Sequence, residues 1–337
     1  MSDAVDTAAR SDSRTAKTVR PMTTSRRMVG AVPPQVVHVD SPTEQRNPRT
    51  TDIDQMSTAG ILTAINAEDS RVPRAVHAVL PQLATAVDYA TEALRGGHRV
   101  HYVGAGTSGR LAVLDAAELV PTFNVPPDWF VAHHAGGERA LRHAVENAED
   151  DESAGAAELS STVAAGDFVL GLTASGRTPY VLGAVQAAKR RGARTGLVSG
   201  NPGAPKPPGV DVLIAVDTGP ETIAGSTRMK AGTAQKIVLT AFSTATMVKL
   251  GRTYSNLMVS MRATNAKLRG RTLRILQEAT GLSAQDCDEA LTKADGDLKV
   301  ALVHLLSGVD VAAAGKALAA TDGHVRKALE SVRARAS

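Results

Sequence analysis

Residues 99–118 join a short apolar run to an amphipathic one through three glycines, and no other stretch restricts the fold of this chain as strongly. Val100, Tyr102 and Val103 read as a buried strand, residues 104–109 as a tight turn, and residues 110–119 as a helix with Leu111, Val113 and Leu114 toward a core. Glycine permits the positive dihedral angles and close backbone approach that such a crossing needs. The amides opening the next helix point outward with partial positive charge, so an anion is expected there.

Two anions compete for the turn. Gly104-x-Gly106-x-x-Gly109 has the dinucleotide spacing, but that site also needs an acidic residue at the carboxyl end of the second strand, roughly 20 residues on. The strand expected over 129–132 ends in His133-His134, and the nearest acid, Asp128, precedes it. Thr107 and Ser108 set two hydroxyls beside the amides, which suits a terminal phosphate monoester and favours a sugar phosphate. A reading in which the glycines serve only packing stays open.

Strand and helix signals then alternate: strand 129–132, helix 138–148, strand 167–173, helix 179–190, strands 194–199 and 211–216, and a long helix over 233–250, with two helices upstream at 56–67 and 72–94. Continuous Val, Leu and Ile strands separated by helices call for an α/β fold. Its parallel sheet would be covered by helices on both faces, with the site at the strands' carboxyl ends. The third strand runs into Thr173-Ala174-Ser175-Gly176-Arg177-Thr178-Pro179-Tyr180, a second hydroxyl-rich turn opening onto a helix. Ser175 and Thr178 are candidates to close around the same phosphate, with Arg177 adding charge, although simple helix capping explains them too.

From about residue 283 the pattern becomes short helices, 284–293, 298–306, 311–318 and 325–334, separated by Gly296, Gly308 and Gly323, which predicts a small C-terminal helical bundle. Residues 1–40, rich in Ser, Thr, Ala and Arg without hydrophobic periodicity, are expected to form a disordered tail. Asp3, Asp6 and Asp12 argue against a transit peptide, and Met22 and Met28 are alternative starts. The donor-dense residues 43–52 read as a capping loop or a lid. The expected division is a tail over 1–40, a phosphosugar-binding catalytic domain over 41–280 and the bundle over 281–337.

Composition excludes other classes. Aromatic residues make up 3% of 337 and the formal charge is +4, so neither stacking platforms nor a basic footprint for nucleic acid is present. A single cysteine, Cys287, rules out an internal disulfide and a cysteine zinc cluster, which fits a reducing cytoplasm. No apolar run reaches the roughly 18 residues that span a bilayer. His133 and His134 on one strand point to opposite faces and cannot jointly hold a metal, and none is expected.

Two glutamates stand near the expected site, Glu118 on the helix after the first turn and Glu149 after the second strand. Together they could supply a paired acid and base. Which does which is open from the residues alone. Ser226, Arg228 and Lys230, just before the long helix, are further candidates to meet a substrate carboxylate or phosphate, in this or a neighbouring subunit, although plain solvated charge explains them too.

The chain resembles the N-acetylmuramic acid 6-phosphate etherases of the sugar isomerase domain class, from about residue 42 onward. The motifs that carry the likeness are Thr-Glu-Gln-Arg-Asn-Pro at 43–48, Gly-Ala-Gly-Thr-Ser-Gly-Arg-Leu at 104–111 and Asp-Ala-Ala-Glu at 115–118. Three more follow: Glu-Asn-Ala-Glu-Asp at 146–150, Ala-Ser-Gly-Arg-Thr-Pro-Tyr at 174–180 and Gly-Ser-Thr-Arg-Met-Lys-Ala-Gly-Thr-Ala-Gln-Lys at 225–236. The resemblance implies cleavage of the D-lactyl ether of the phosphorylated sugar to N-acetylglucosamine 6-phosphate and D-lactate, without metal or organic cofactor. It also implies Glu118 as acid and Glu149 as base, a homodimer with shared sites, and a C-terminal bundle of ubiquitin-associated type. The alternative is a non-catalytic sugar-phosphate sensor similar to the glucokinase regulatory protein, against which Glu118 and Glu149 argue.

Overall fold

The computed structural model describes residues 41–261 and 266–336, so the expectation for residues 1–40 lies outside the described residues. Helices α1 (Thr58–Asp69), α2 (Val72–His77) and α3 (Leu80–Arg95) lead into β1 (Val100–Gly104), α4 (Gly106–Phe123), β2 (Phe130–His134) and the single turn α5 (Arg139–Arg142). There follow α6 (Glu152–Thr162), β3 (Phe168–Thr173), α7 (Pro179–Arg190), β4 (Arg194–Ser199), β5 (Val212–Ala215) and α8 (Lys230–Lys249). A short hairpin, β6 (Thr253–Tyr254) and β7 (Leu257–Met258), precedes α9 (Ala266–Thr280), α10 (Ala284–Lys293), α11 (Leu298–Ser307), α12 (Val311–Ala319) and α13 (Val325–Ala336).

The five long strands form one parallel sheet in the order β2-β1-β3-β4-β5. Side-chain alternation divides its core in two. Tyr102, Phe168, Leu170, Leu172 and Ile214 pack with α3, α4 and α8 on one face, while Val103, Val169 and Leu197 pack with α6 and α7 on the other. Helices cover both faces, as the uninterrupted apolar strands require.

A second core, from Val259 and Met261 through Ile275 and Leu276 of α9 to Leu329, holds the hairpin and the C-terminal helices together. This core reaches back ahead of residue 281. Cys287 is buried within it.

The structure corrects several sequence expectations. The helix expected over 72–94 is broken at Ala78–Val79, because Pro81 lacks the N–H that would bond His77 and its ring clashes with that carbonyl. The helix after β1 starts at Gly106, so Thr107 and Ser108 belong to its first turn rather than to a preceding loop. The helix expected over 138–148 is one turn, α5, followed by irregular chain and a 3-10 turn at Ala148–Asp150. Glu149 therefore sits in a loop, and α6, α9 and the hairpin had no counterpart in the sequence reading.

Candidate active site

Strand β1 lies between β2 and β3, and the residues ending the three strands are level: Gly104 pairs with His134 on one side and with Leu172 on the other. The chain leaves β1 for α4 on one face of the sheet and leaves β3 for α7 on the opposite face. Loops diverging in this way open a crevice beyond the carboxyl ends, the usual ligand position in such sheets. Both hydroxyl-rich turns flank it.

At the first turn, backbone packing demands glycine. A Cβ on Gly104 would lie 2.6 Å from the Gly109 nitrogen, and one on Gly109 would lie 2.7 Å from the Gly104 carbonyl oxygen. Ala105, at the N-cap of α4, is extended and no side chain caps the helix. Its leading amides are thus left to an external acceptor. The Thr107 and Ser108 hydroxyls make no hydrogen bond within the described protein, and Ser108 is buried.

The second turn is tied internally. Thr173 Oγ1 shares a hydrogen with Thr178 Oγ1 across 2.7 Å, Gly176 N donates to Thr173 Oγ1 at 3.2 Å, and Arg177 N donates to Ser175 Oγ at 3.2 Å. Thr178 occupies the N-cap of α7 without capping it through its side chain. The capping explanation of Thr178 is therefore unsupported, while the network holds the Ser175 and Thr178 hydroxyls in fixed positions. Arg177 is exposed.

Glu149 lines a cavity of about 250 Å³ shared with Gly106, Arg110, His134, His143 and Asn147. His134, which the sequence reading considered only as a metal ligand, is buried there. Its Nδ1 lies 2.8 Å from the Ala135 carbonyl oxygen and its Nε2 3.2 Å from that of Gly106, so the ring braces the first turn of α4. Glu118 faces a different cavity, about 440 Å³, between α4 and α8, lined by Leu111, Leu114, Asp115, Lys236, Thr240 and others. Twelve residues separate Gly106 from Glu118 on α4, roughly 18 Å of helix. Within one chain the fold brings Glu149, but not Glu118, to the α4 amino end.

Asp115, one turn before Glu118, accepts hydrogen bonds from Tyr102 Oη at 2.9 Å and Ser243 Oγ at 3.1 Å. Burial pushes its carboxyl up to about 6 despite those two bonds.

Lys230 requires a correction. It is fully buried, and its Nζ donates to Glu68 Oε2 at 2.7 Å, so it cannot meet a substrate. Glu68 also accepts from Asn47 Nδ2 and Arg49 Nη2, each at 2.9 Å. Glu221 caps α8 through the Lys230 and Ala231 amides at 2.8 and 2.9 Å, and the Gly225 amide donates to the Thr43 carbonyl at 2.8 Å. Residues 41–50 are thereby stapled to the loop before α8, where Ser226 is half-buried and Arg228 exposed.

With this geometry established, likeness to known proteins decides the family. An N-acetylmuramic acid 6-phosphate etherase of Thermobifida fusca is 62% identical over 269 residues, covering 80% of this chain and 88% of the relative. The chain belongs to the N-acetylmuramic acid 6-phosphate etherase family. The etherase of Pectobacterium atrosepticum is 49% identical over 287 residues, 85% of this chain and 95% of that one. The glucokinase regulatory protein N-terminal SIS domain model matches residues 82–189, which run from α3 to α7. Among solved structures, a phosphoheptose isomerase from Francisella tularensis overlaps 57% of this chain and 98% of its own at 19% identity and a TM-score of 0.46. The part matched by the SIS domain model holds β1, β2 and β3 of the sheet.

Proposed function

We propose that this chain cleaves the D-lactyl ether of N-acetylmuramic acid 6-phosphate, giving N-acetylglucosamine 6-phosphate and D-lactate in amino-sugar recycling. The observation that carries the reading is the 62% identity to a curated etherase over most of both chains. The uncapped amino end of α4, with the free Thr107 and Ser108 hydroxyls, supports it as the phosphate seat, and the fixed Ser175 and Thr178 hydroxyls supply the opposite wall.

In this reading a base takes the proton from sugar carbon 2, the carbon 3–oxygen bond breaks as an acid protonates the departing lactyl oxygen, and water then adds across the new double bond. Glu149 is the base, consistent with its cavity at the α4 amino end, and Glu118 is the acid. Because one chain opens these carboxylates onto separate cavities, the reading includes a homodimer in which a second copy brings them to one substrate. Arg177, Ser226 and Arg228 are further candidates for contact with it. The reading places the enzyme in the cytoplasm, with catalysis in residues 41–280 and a packing or dimer role for the bundle. Among the described residues no single helix is long and apolar enough to cross a membrane.

The test follows D-lactate release together with exchange of the carbon 2 hydrogen in heavy water. Glu118→Ala is expected to release at least roughly 10²–10⁴-fold less lactate while still exchanging, and Glu149→Ala to lose both. Exchange that survives only in the Glu149 variant would reverse the roles. Near-normal release from both would end the two-glutamate mechanism.

A further inference from the structure

Helices α4 and α8 run side by side in the same direction. Thr107 Cγ2 lies 3.4 Å from where a Cβ on Gly232 would stand, and thirteen positions from the α8 start Asp115 meets Ser243. Gly232 thus marks the strip of α8 that faces α4, while Phe242, packed on the Tyr102 and Phe168 rings, marks with Ala234 and Val238 the strip that faces the sheet. Gln235 lies between the two strips. A helical side chain leans toward the amino end of its helix, over the turn before it. The Gln235 amide is therefore directed past Gly232 toward the first turn of α4 and the carboxyl ends of the strands.

Gln235 is 3% exposed. Its Nε2 is sealed from solvent and has no hydrogen-bond partner within the protein. A buried amide donor without a partner is costly, and most buried donors have one. The amides that open α8 are themselves donors, bonded to Glu221, and cannot pair with the Gln235 donor. Two independent features therefore converge: the uncapped amino end of a long helix, and a buried donor aimed at it from a neighbouring helix.

We propose that Gln235 is a substrate-binding residue whose Nε2 donates to an oxygen of the sugar phosphate seated at the α4 amino end. This rests on the function proposed above and adds a contact that reaches the ligand from the α8 side, between the two hydroxyl turns. In this arrangement the buried donor is completed by the ligand, not by the fold.

A merely structural amide and a ligand-binding one respond oppositely to removal. Gln235→Met keeps the length and volume but deletes the donor. Because the donor has no protein partner to lose, the melting temperature of the free protein is expected to hold or rise. Affinity for N-acetylglucosamine 6-phosphate, measured by calorimetry, is expected to fall roughly tenfold to a hundredfold, the range of a hydrogen bond to a charged group. Gln235→Glu replaces the donor with an acceptor and should weaken binding further through repulsion of the phosphorylated ligand. Unchanged affinity in Gln235→Met, with wild type binding normally, overturns the proposal and leaves the etherase reading standing. A lowered melting temperature with unchanged affinity in either variant overturns it likewise, by showing a structural amide. Wild type that neither binds this product nor releases D-lactate overturns both.

Discussion

The ion cluster around Glu68 allows a stability prediction with an asymmetry built in. The Glu68 side chain is 3% exposed and that of Lys230 0%, whereas Arg49, the third charged member, is 43% exposed. Replacing Glu68 with Leu leaves the Lys230 ammonium fully buried without its carboxylate, which should cost about 3–5 kcal/mol. Replacing Lys230 with Met leaves Glu68 still bonded to Arg49 and Asn47, so the loss should be smaller, about 1–3 kcal/mol. In the double variant no buried charge is stranded and Arg49 returns to water. It should recover to within about 1 kcal/mol of wild type, since apolar replacement of a buried pair is often neutral or better. Urea unfolding with equal m-values across the four proteins measures each step. The hydrogen bonds from Arg49, Lys230 and Asn47 hold the Glu68 carboxyl well below the usual carboxylate range. Its contribution is therefore present above the unfolded pKa near 4.3 and lost as pH falls below it. The stability of wild type relative to the double variant should fall below about pH 4. A Glu68→Leu protein within 1 kcal/mol of wild type, or a double variant no more stable than Glu68→Leu, would refute the reasoning.

Gly155→Ala should destabilise the protein by about 1–3 kcal/mol or more, because the new Cβ would collide with the Tyr180 carbonyl where α6 crosses α7; thermal unfolding checks this, and an unchanged melting temperature would mean the helices separate freely. Asp115→Asn should stabilise the protein by roughly 1–2 kcal/mol at pH 8, with the gain fading toward pH 4. Burial raises the folded pKa to about 6, so the penalty of the charged form is absent below the unfolded value and complete only above the folded one. Melting curves at the two pH values decide it, and a gain that grows on acidification would contradict the assignment.

What the sequence exposed and what it hid follow from how far each signal reaches along the chain. Strand β3 is covered on both faces, so residues 168–172 contain no polar side chain, and α7, with its buried Val181, Ala184, Val185 and Ala188, is amphipathic over its whole length. Helix α6 was invisible for the opposite reason. It approaches α7 through small residues, with Gly155 against the Tyr180 backbone and Gly183 against that of Glu152, and small residues in contact leave no hydrophobic periodicity to read. The segment before Glu149 was mistaken for helix because neither break shows in residue type: His143 turns extended after Arg142, and Asn147 adopts a left-handed conformation, φ 61°, ahead of the 3-10 turn that holds Glu149.

The same argument governs the charged residues, where sequence reasoning was weakest. Lys230 looked like a donor for substrate because it stands just before the long helix; its carboxylate comes from Glu68, 162 positions earlier, through a contact that only the fold creates. Glu118 and Glu149 could be singled out by motif, yet their separation on two cavities follows from the length of α4 rather than from any residue in either motif. Gln235 stands at the other extreme: it falls inside the motif at 225–236 but nothing in that motif singles it out, and it becomes informative only when burial shows that its donor has no partner. A site residue of this kind is recognised by what the fold fails to give it. Lys230 is the converse, a residue dismissed from the site because the fold satisfies it completely, and the two lie five positions apart on the first turns of one helix.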